Sequence, residues 1–352
     1  MKKNTRAADR LVELSPKDWD QKRLLALLSR FGGRKILVVG DVGVDRYTEG
    51  RVERISPEAP VPIVQVTSER HKLGLAANVA DNIQAVGGVP ILVGLIGGDA
   101  GADVFRKLLR EAGISDRNLA IDGGRRTILK ERVVSERQQL LRIDYEDLAP
   151  VGSEISKKIL DAVEKALPAA DVVVFEDYAK GLFTTGFARD LIALAREKKK
   201  PIYADPNPRS PREHYRGVSL LTPNTKEAEA LSGIRIIDEA SLLRAGRAIL
   251  EQSQAQTVIM TRGKEGMAIF EKGKDEVLSI PTYAREVYDV SGAGDTVIAV
   301  LALAQAAGAS LSDAVVLANL AAGVEVGKRG TATVSIDEIK AAMGFFEAMA
   351  IR

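Results

Sequence analysis

The chain alternates between short, continuous apolar runs and longer segments whose apolar residues recur with helical spacing. The apolar runs lie at 35–40, 91–96, 171–175, 201–204, 219–221 and 257–260. Runs of this length are typical of strands buried on both faces of a parallel sheet. The helical segments lie at 104–112, 155–167, 187–198, 297–307, 311–326 and 336–350. This alternation predicts an α/β fold with a mostly parallel central sheet.

Two segments depart from the alternation. The first, at about 46–70, contains Pro57, Pro60 and Pro62, and prolines so close together exclude a central strand of the main sheet. The second, at about 125–145, alternates polar and apolar residues and has few helix signals. We predict that both form a small antiparallel β-sheet outside the core, as a flap or lid over a site. For the second segment, an ordinary solvated strand face is the alternative.

The N-terminal residues 1–34 are polar, apart from a helical cluster of leucines at positions 24, 25, 27 and 28. They predict an N-terminal extension that is partly helical and ends at Gly32-Gly33. Residues 35–352 contain no long linker and no internal repeat. We therefore expect one large α/β domain from 35 to 352, into which the two lid segments are inserted, in preference to two domains in series.

The amino-acid composition excludes several classes of function. The chain has 352 residues, of which 45% are hydrophobic and 28% charged, as in soluble globular proteins. A formal net charge of +2 gives no support to nucleic-acid or membrane-surface binding. The absence of cysteine excludes disulfides and thiolate metal sites, and two histidines exclude a multi-histidine centre. Any metal should therefore be a hard cation held by oxygen ligands. No apolar run approaches the roughly 20 residues of a membrane span, so we expect a cytoplasmic location.

Polar residues gather directly after several predicted strands. Clusters occur at 176–181, 205–208, 222–227 and 261–263, and Asp41 and Asp45 follow the first strand. In open α/β sheets, ligands bind outside the carboxyl ends of the strands. The clusters therefore predict one continuous cleft along that edge of the sheet. Asp45 is a candidate for the site, whereas Asp41 fits a turn residue better.

One further loop, residues 289–295, precedes the helical segment 297–307 and contains Gly292, Ala293 and Gly294. The first amides of a helix have no internal partner, and the helix dipole adds positive charge, so a glycine-rich turn at this point is an anion cradle. A carboxylate beside a phosphate is repelled by it, which indicates a chemical task for Asp295. We expect Asp295 to accept the proton of a hydroxyl that attacks the phosphate. An ordinary loop with Asp295 as a helix N-cap is the alternative.

The string Asp-x-x-Gly-Ala-Gly-Asp at 289–295 resembles the C-terminal signature of the ribokinase-like (PfkB) carbohydrate kinases. The resemblance extends over nearly the whole chain from Lys35. Within that family, the chain is most similar to the D-glycero-β-D-manno-heptose-7-phosphate kinases. The segments that carry this closer similarity are Gly40-Asp41 with Asp45-Arg46-Tyr47, residues 54–62 (Arg-Ile-Ser-Pro-Glu-Ala-Pro-Val-Pro), Ala76-Ala77-Asn78-Val79-Ala80, residues 138–144 (Gln-Gln-Leu-Leu-Arg-Ile-Asp), Asp177-Tyr178 with Lys180-Gly181, residues 221–224 and Lys328-Arg329-Gly330-Thr331.

The resemblance implies a ribokinase-like three-layer α/β/α sandwich with a lid, and it implies roles for individual residues. Asp295 would be the general base, and Gly292, Ala293 and Gly294 would bind the transferring phosphate. ATP and Mg²⁺ would be held by Asn224, Thr225, Lys226 and Glu227, with Glu227 at the metal. The nucleotide would also contact Thr261 and Gly263, and Asn319 would lie near the adenine.

On the sugar side, the resemblance places Asp45, Gly74, Asn78 and Lys180, with Gln138 as a mark of the heptose kinases. From its residue type and position alone, Asn78 fits a polar residue of a first helical turn equally well. A phosphorylated substrate also needs cations for the phosphate that it already carries. The candidates are Lys130, Arg142 and Lys180, and the sequence does not choose among them.

The implied activity is the ATP-dependent phosphorylation of D-glycero-β-D-manno-heptose 7-phosphate at O1. The product, heptose 1,7-bisphosphate, is an intermediate of ADP-heptose and thus of lipopolysaccharide biosynthesis. Leu75 stands where the family has a second glycine, and Asn207 where it often has lysine. These departures keep open a kinase for another sugar or sugar phosphate, or for a nucleoside. A non-catalytic sugar or nucleotide sensor on the same fold is a third reading.

Two further expectations concern assembly and pathway. The bifunctional relatives carry a nucleotidyltransferase domain, but no His-x-Gly-His sequence occurs here. We therefore expect the kinase step alone, with a separate protein adding the nucleotide. Because an exposed β-flap has edges that need cover, we also expect a homodimer formed through the flap.

Overall fold

The computed structural model describes residues 10–135 and 138–350. Residues 1–9 of the predicted extension, 136–137 of the second lid segment and 351–352 lie outside the described residues. The strands are β1 Arg10–Glu13, β2 Lys35–Gly40, β3 Val42–Ile55, β4 Pro62–Leu75, β5 Val89–Ile96, β6 Leu119–Ile121, β7 Ile128–Ser135, β8 Gln138–Tyr145, β9 Val172–Glu176, β10 Ile202–Asp205, β11 Leu220–Leu221, β12 Thr257–Thr261, β13 Met267–Glu271 and β14 Glu276–Ile280. The α-helices are α1 Gln21–Leu28, α2 Ala76–Ala85, α3 Ala100–Glu111, α4 Ser153–Ala166, α5 Thr185–Glu197, α6 Thr225–Ser232, α7 Glu239–Ser253, α8 Ala293–Ala306, α9 Leu311–Glu325 and α10 Ile336–Ala350.

The main sheet has the strand order β1-β14-β13-β12-β11-β10-β9-β2-β5-β6. Every pair in it is parallel except the two pairs that β13 makes with β12 and β14. Because the strands are parallel, the carboxyl ends of β2, β9, β10 and β12 meet at one edge. The predicted fold class, with a mostly parallel central sheet, is confirmed.

Two apolar cores, one on each face of the sheet, make this a three-layer structure. On β2, Ile36 and Val38 point into one core, and Leu37 and Val39 into the other. The first core is completed by α1, α2, α3, α8, α9 and α10, and the second by α4, α5, α6 and α7. The strands are apolar at consecutive positions because both of their faces are covered.

The lid is a separate sheet with the strand order β4-β3-β7-β8. Its two hairpins, β3–β4 and β7–β8, are antiparallel, but β3 and β7 pair in parallel. The prediction of a wholly antiparallel flap was therefore wrong for this central pair. Both strands start near the main sheet, where Gly43 is the partner of Ile128, and run outward in the same direction. The β3–β4 hairpin is also longer than the predicted first segment, since β3 and β4 have 14 residues each.

The N-terminal segment contributes to the main sheet, which the sequence did not indicate. β1 pairs in parallel with β14 and forms the edge of the sheet. The predicted helix is present as α1, whose Arg23 donates to both carboxylate oxygens of Asp313 at 2.8 Å. Trp19 packs edge-on against Tyr283, with ring centroids 4.8 Å apart. The extension is thus packed against the domain at three points.

Candidate active site

Asp295 lies in the first turn of α8, at the carboxyl edge of the main sheet, and it is 7% exposed. Two side chains from distant parts of the chain hold its carboxylate. Asn78 of α2 donates to Oδ2 at 2.6 Å, and the Tyr178 hydroxyl, from the turn after β9, donates to Oδ1 at 2.5 Å. Because each oxygen has its own donor, the orientation of the carboxylate is fixed.

The protonation of Asp295 follows from this environment. Burial raises the pKa of Asp295 to about 6, the hydrogen bonds from Asn78 and Tyr178 lower it, and the charge of Asp45 raises it. A carboxylate with such a pKa is ionised at neutral pH and is a better proton acceptor than an ordinary aspartate.

The loop before Asp295 is shaped for close approach. Gly292 is the N-cap of α8 and has a φ of +96°, a conformation that favours glycine. A Cβ atom on Gly292 would lie 3.0 Å from Asn78 Nδ2 and 3.2 Å from Glu325 Oε1. Asp289 holds the loop, because its carboxylate accepts from the amides of Ser291 at 2.9 Å and Gly330 at 3.1 Å. The amide of Ala293 makes a long hydrogen bond, 3.4 Å, to the carbonyl of Val290. The first amides of a helix have no partner within the helix, so the start of α8 is a position where an anion can bind.

Replacing Gly292 by alanine is expected to destabilise the protein by about 1–3 kcal/mol. An alanine is strained in the left-handed backbone conformation, and its Cβ would lie too close to Asn78. Gly294→Ala is the matched control. Gly294 is helical, and its Cβ would lie 3.5 Å from Asp205 Oδ2, which is an ordinary contact. Urea unfolding should show a lower free energy of unfolding for Gly292→Ala and no change for Gly294→Ala. An equal loss for both would mean that the backbone conformation at Gly292 does not set the difference.

A cluster of carboxylates adjoins Asp295. One oxygen each from Glu176, Asp205 and Asp295 lies within 4.8 Å of the others. Glu176 is 1% exposed, and neither of its carboxylate oxygens has a hydrogen-bond partner within the described residues. Burial, and then the charge of Asp205, raise the pKa of Glu176 well above its usual range. Oxygen ligands at this spacing suit a hard divalent cation such as Mg²⁺, which would also offset their mutual repulsion.

Glu227, the predicted metal residue, lies in the first turn of α6, and its charge acts on the pKa of Glu176. Burial raises the pKa of Glu227 to about 7, and its charge in turn raises the pKa of Asp205. Asn224 and Glu227 form a capping box at the start of α6: Asn224 Oδ1 accepts from the amides of Lys226 and Glu227, and Glu227 Oε2 accepts from the amide of Asn224 at 2.7 Å. Thr225 is the first residue of α6. The predicted Asn-x-x-Glu motif is thus placed by a helix start.

The other predicted nucleotide residues lie on three further elements of the fold. Thr261 ends β12 and forms a bridge with Asn224, so the two neighbouring strand ends are tied together. Gly263 is in the exposed turn that follows. Asn319 is buried in α9, and its Nδ2 donates to the carbonyl of Pro281 at 2.7 Å. In this structure, the amide group of Asn319 positions the 281–283 segment.

On the sugar side, Asp45 lies on the inner face of β3, 4% exposed, and pairs with Arg132 at 2.6 Å. Gly74 is beside it on β4, and a Cβ there would lie 3.1 Å from the Asp45 carboxyl carbon, so glycine leaves room for that carboxylate. Lys130 Nζ lies 5.3 Å from the centre of the Tyr178 ring, and burial lowers the pKa of Lys130. Asp45 and Lys130 both contribute to the field at Asp295.

The remaining predicted substrate residues have other partners. Lys180 is buried, and its Nζ donates to Glu146 at 2.6 Å. Arg142 is exposed on β8 and pairs with Asp144 at 2.8 Å. Gln138 is exposed at the start of β8. The structure therefore brings Asp45, Gly74, Asn78 and Lys130 towards Asp295, whereas Arg142 and Gln138 lie out on the lid.

Leu75, the departure from the family pattern, is at the junction of β4 and α2. It has φ +59° and ψ −140°, a conformation that favours glycine, and its side chain is 5% exposed. A glycine at this position would relieve backbone strain. The leucine keeps the strained backbone and is enclosed where the lid meets the domain.

Glu325, at the end of α9, is a second buried carboxylate beside the glycine loop. It is fully buried, and its oxygens have no hydrogen-bond partner among the described residues. Burial raises the pKa of Glu325 to about 8; the nearby amide of Ala332 acts against this, and the charge of Asp295 adds to it. Glu325 is therefore protonated in the folded protein at neutral pH.

This proton links stability to pH. The unfolded chain loses it near pH 4.5 and the folded protein only near pH 8, so the contribution of Glu325 to stability falls as pH rises between these values. Glu325→Gln should remove that loss, and its stability relative to the parent should rise by up to about 1.4 kcal/mol per pH unit in this window. Urea unfolding from pH 5 to 9 measures it, with exposed Glu69→Gln as the control. A constant difference across the window would contradict the assignment.

Three residues of the site had no predicted role, although each lies in a predicted polar cluster. Glu176 ends β9, Tyr178 lies in the turn after it, and Asp205 ends β10. In the sequence, the only indication of a role for these residues was their position at or after the end of a predicted strand. It could not tell which side chains of a cluster point into the cleft.

Known proteins resemble this chain over most of its length. The family model for pfkB family carbohydrate kinases matches residues 34–339. Bifunctional protein HldE of Geobacter sulfurreducens is 43% identical over 326 residues, 93% of this chain and 66% of that protein. HldE of Pseudomonas aeruginosa is 45% identical over 316 residues, 90% of this chain and 65% of that protein. The chain thus spans slightly less than two thirds of the length of these curated relatives.

Solved structures show the same fold at low sequence identity. Arabidopsis thaliana ribokinase, complexed with ribose and ATP, has a TM-score of 0.69 and 17% identity, covering 90% of this chain and 99% of its own. Escherichia coli phosphofructokinase-2, in complex with potassium, has a TM-score of 0.73 and 18% identity, with the same coverage of 90% and 99%. No helix in the described part of the chain is long and apolar enough to cross a membrane. With a ribokinase-like fold and a family match over most of its length, the chain belongs to the pfkB family of carbohydrate kinases.

Proposed function

We propose that this kinase transfers the γ-phosphoryl group of ATP to the anomeric hydroxyl of D-glycero-β-D-manno-heptose 7-phosphate. The observation that carries the phosphoryl transfer is the buried Asp295 carboxylate, fixed by Asn78 and Tyr178 beside the glycine loop. The heptose is supported by the similarity to HldE proteins and by the segments 54–62 and 138–144. The reaction would supply heptose 1,7-bisphosphate for the synthesis of ADP-heptose.

In this mechanism, Asp295 takes the proton of the sugar O1 as that oxygen attacks the γ-phosphorus. The O1–P bond forms, the bond from the γ-phosphorus to the bridging oxygen breaks, and ADP leaves. The amides of Gly292, Ala293 and Gly294 stabilise the charge on the transferring group. Asp45 and Lys130 would orient the sugar, and the lid would exclude water from the reacting atoms.

Mg²⁺ fits this site, because Glu176 is a buried carboxylate without a partner next to Asp205. We propose that Glu176, Asp205 and Glu227 hold it. When bound, Mg²⁺ would neutralise charge on the phosphates of ATP. The residues around it have their own tasks: Thr222 fixes Asp205 by donating at 2.9 Å, and Asn224 fixes Glu227 through the capping box.

The rate should depend on pH through Asp295. Its pKa of about 6 requires that the base be ionised above that value and protonated below it. We expect kcat/KM to fall about tenfold per pH unit below pH 6 and to level off above it, in steady-state assays at saturating Mg²⁺. A rate that is constant from pH 5 to 8 would show that no group with this pKa takes the proton.

The direct test measures ADP release with Mg²⁺ and ATP on D-glycero-D-manno-heptose 7-phosphate. Fructose 6-phosphate, ribose and a sample without sugar run in parallel, and phosphorus NMR identifies a new anomeric phosphate. Turnover on the heptose alone supports the proposal. Turnover on another sugar would keep the Asp295 mechanism and replace the substrate, and Leu75 and Asn207 would be the first positions to examine. ATP binding without turnover on any sugar would favour a sensor.

We further propose a homodimer formed through the lid. Apolar side chains are exposed on the outer part of the lid, where Ile55 is 60% exposed, Leu141 54%, Val61 51% and Val66 50%. Apolar groups in such numbers on one small sheet are typical of an interaction surface. Light scattering at micromolar protein concentration tests this, and a monodisperse monomer would contradict it.

A further inference from the structure

A pocket of about 200 Å³ lies between the inner face of the lid and the loops around Asp289 and Gly330. We call it the lid pocket. The cationic side chains that line it are Arg70, Lys72, Arg132 and Arg329, against the carboxylates of Glu49 and Asp289. Its lining therefore carries a net positive charge, which suits an anion.

The strand register places this pocket next to the reacting atoms. Asp45 and Lys130, which act on the pKa of Asp295, are partners across β3 and β7. Tyr47 and Arg132 form the next pair on the same face, two residues farther out, or about 7 Å along the strands. Ser291, which also lines the pocket, belongs to the glycine loop. The pocket thus begins about 7 Å along the strands beyond the pair that acts on Asp295, a spacing comparable to the length of a sugar.

Two of the cations have no carboxylate partner. Arg132 pairs with Asp45, and Arg70 pairs with Glu49. Lys72 donates to the carbonyl of Thr331, and Arg329 lies over the Tyr288 ring at 5.1 Å. Neither Lys72 nor Arg329 has a carboxylate within 4 Å in the described part of the chain. Their charges are available to a ligand.

The cations considered from sequence are placed less well for this task. Lys180 is neutralised by Glu146 in a buried pair, and Arg142 is held by Asp144 on the exposed lid. Lys130 belongs to the row beside Asp295, where the hydroxyls of a sugar would lie. The lid pocket begins one residue pair beyond that row, on the side where the far end of a sugar phosphate would lie.

We propose that the lid pocket binds the phosphate group that the sugar substrate already carries, with Arg329 and Lys72 as its main ligands. Gln139, which also lines the pocket, would add an amide donor. The assignment rests on the proposed function, since it takes the acceptor to be a sugar phosphate. It makes the lid pocket the determinant of preference for phosphorylated over unphosphorylated sugars.

The test compares Arg329→Gln with the parent enzyme and with Arg51→Gln, a control that removes an exposed lid arginine outside the pocket. Loss of a charge-assisted hydrogen bond to phosphate should raise KM for heptose 7-phosphate about 10- to 100-fold, with KM for ATP within twofold. Arg329→Lys should recover part of the loss. Arg51→Gln should resemble the parent. An unchanged KM for the sugar phosphate, or a raised KM for ATP alone, overturns the proposal.

Binding measurements separate this proposal from the proposed function. Calorimetry without ATP compares heptose 7-phosphate with the unphosphorylated heptose, and fructose 6-phosphate with fructose. If the heptose is not the substrate, the parent enzyme should still prefer the phosphorylated member of a pair that it binds, and Arg329→Gln should lose that preference. Inorganic phosphate should compete with the phosphorylated sugar in the parent enzyme only. Equal preference in parent and variant overturns the pocket assignment, whichever sugar is turned over.

Discussion

Asp295→Asn is expected to lower kcat by about 10²–10⁴-fold, because the amide keeps the size of the side chain but cannot take the proton of the attacking hydroxyl. ATP affinity should stay the same or increase, since a negative charge is removed beside the phosphates. Steady-state kinetics measures the first effect, and calorimetry with ATP in the absence of sugar measures the second.

Asp161→Asn is the matched control, because Asp161 is exposed on α4, which does not contribute to the site. It should leave both quantities unchanged. If Asp295→Asn keeps more than a tenth of the parent kcat, another group is the base. If it loses ATP binding as well as turnover, the defect lies in the glycine loop, and the experiment must be repeated with the pH dependence of the parent enzyme as the readout.

Glu176→Gln is expected to weaken Mg²⁺ binding by at least tenfold in the absence of nucleotide, because it removes a charged oxygen ligand from the carboxylate cluster. Calorimetry with Mg²⁺, or Mn²⁺ as a spectroscopic substitute, measures this. Without a divalent cation, the variant should melt at the same temperature as the parent or higher, since burial and the charge of Asp205 disfavour an ionised carboxylate at position 176.

The opposite signs of these two effects make the test specific to a cation site. A purely structural role for Glu176 predicts lower stability with and without the cation. Glu164→Gln, on the exposed face of α4, should change neither quantity. Equal Mg²⁺ affinity in parent and Glu176→Gln would remove Glu176 from the metal site and leave Asp205 and Glu227 as its proposed ligands.

Much of the architecture follows from the hydrophobic pattern. The strand over 35–40 was predicted with its observed bounds, and α9 and α10 within one residue, because each has an uninterrupted apolar signal. β1 and β6 are short and half-exposed, so no run of apolar residues marks them. The parallel pairing of β3 with β7 depends on contacts between residues about 85 apart, such as Gly43 with Ile128, which local patterns do not contain.

The residues of the site also fall into two groups, those that the sequence indicated and those that only the fold shows. Asp295 and Gly292 stand out because a carboxylate and glycines are unusual together at a helix start. Tyr178 and Glu176 do not stand out, since their importance comes from where the β9 turn places them. The partners of Lys180 and Arg142 could not be predicted either, because a cation that looks free in a sequence can be neutralised by a nearby carboxylate in the fold.

The segments that connect the lid to the domain are very short. One residue, Asp41, separates β2 from β3, and α2 begins directly after β4. The Asp41 carbonyl accepts from the amide of Ala76, so both connections are held together at the start of α2. Asn78 is the third residue of that helix. A swing of the lid must therefore turn the first turn of α2 and pull Asn78 away from Asp295. If the lid opens in the absence of sugar, the Asp295 carboxylate would lose the hydrogen bond that orients it, and ATP would be protected from hydrolysis until the lid closes.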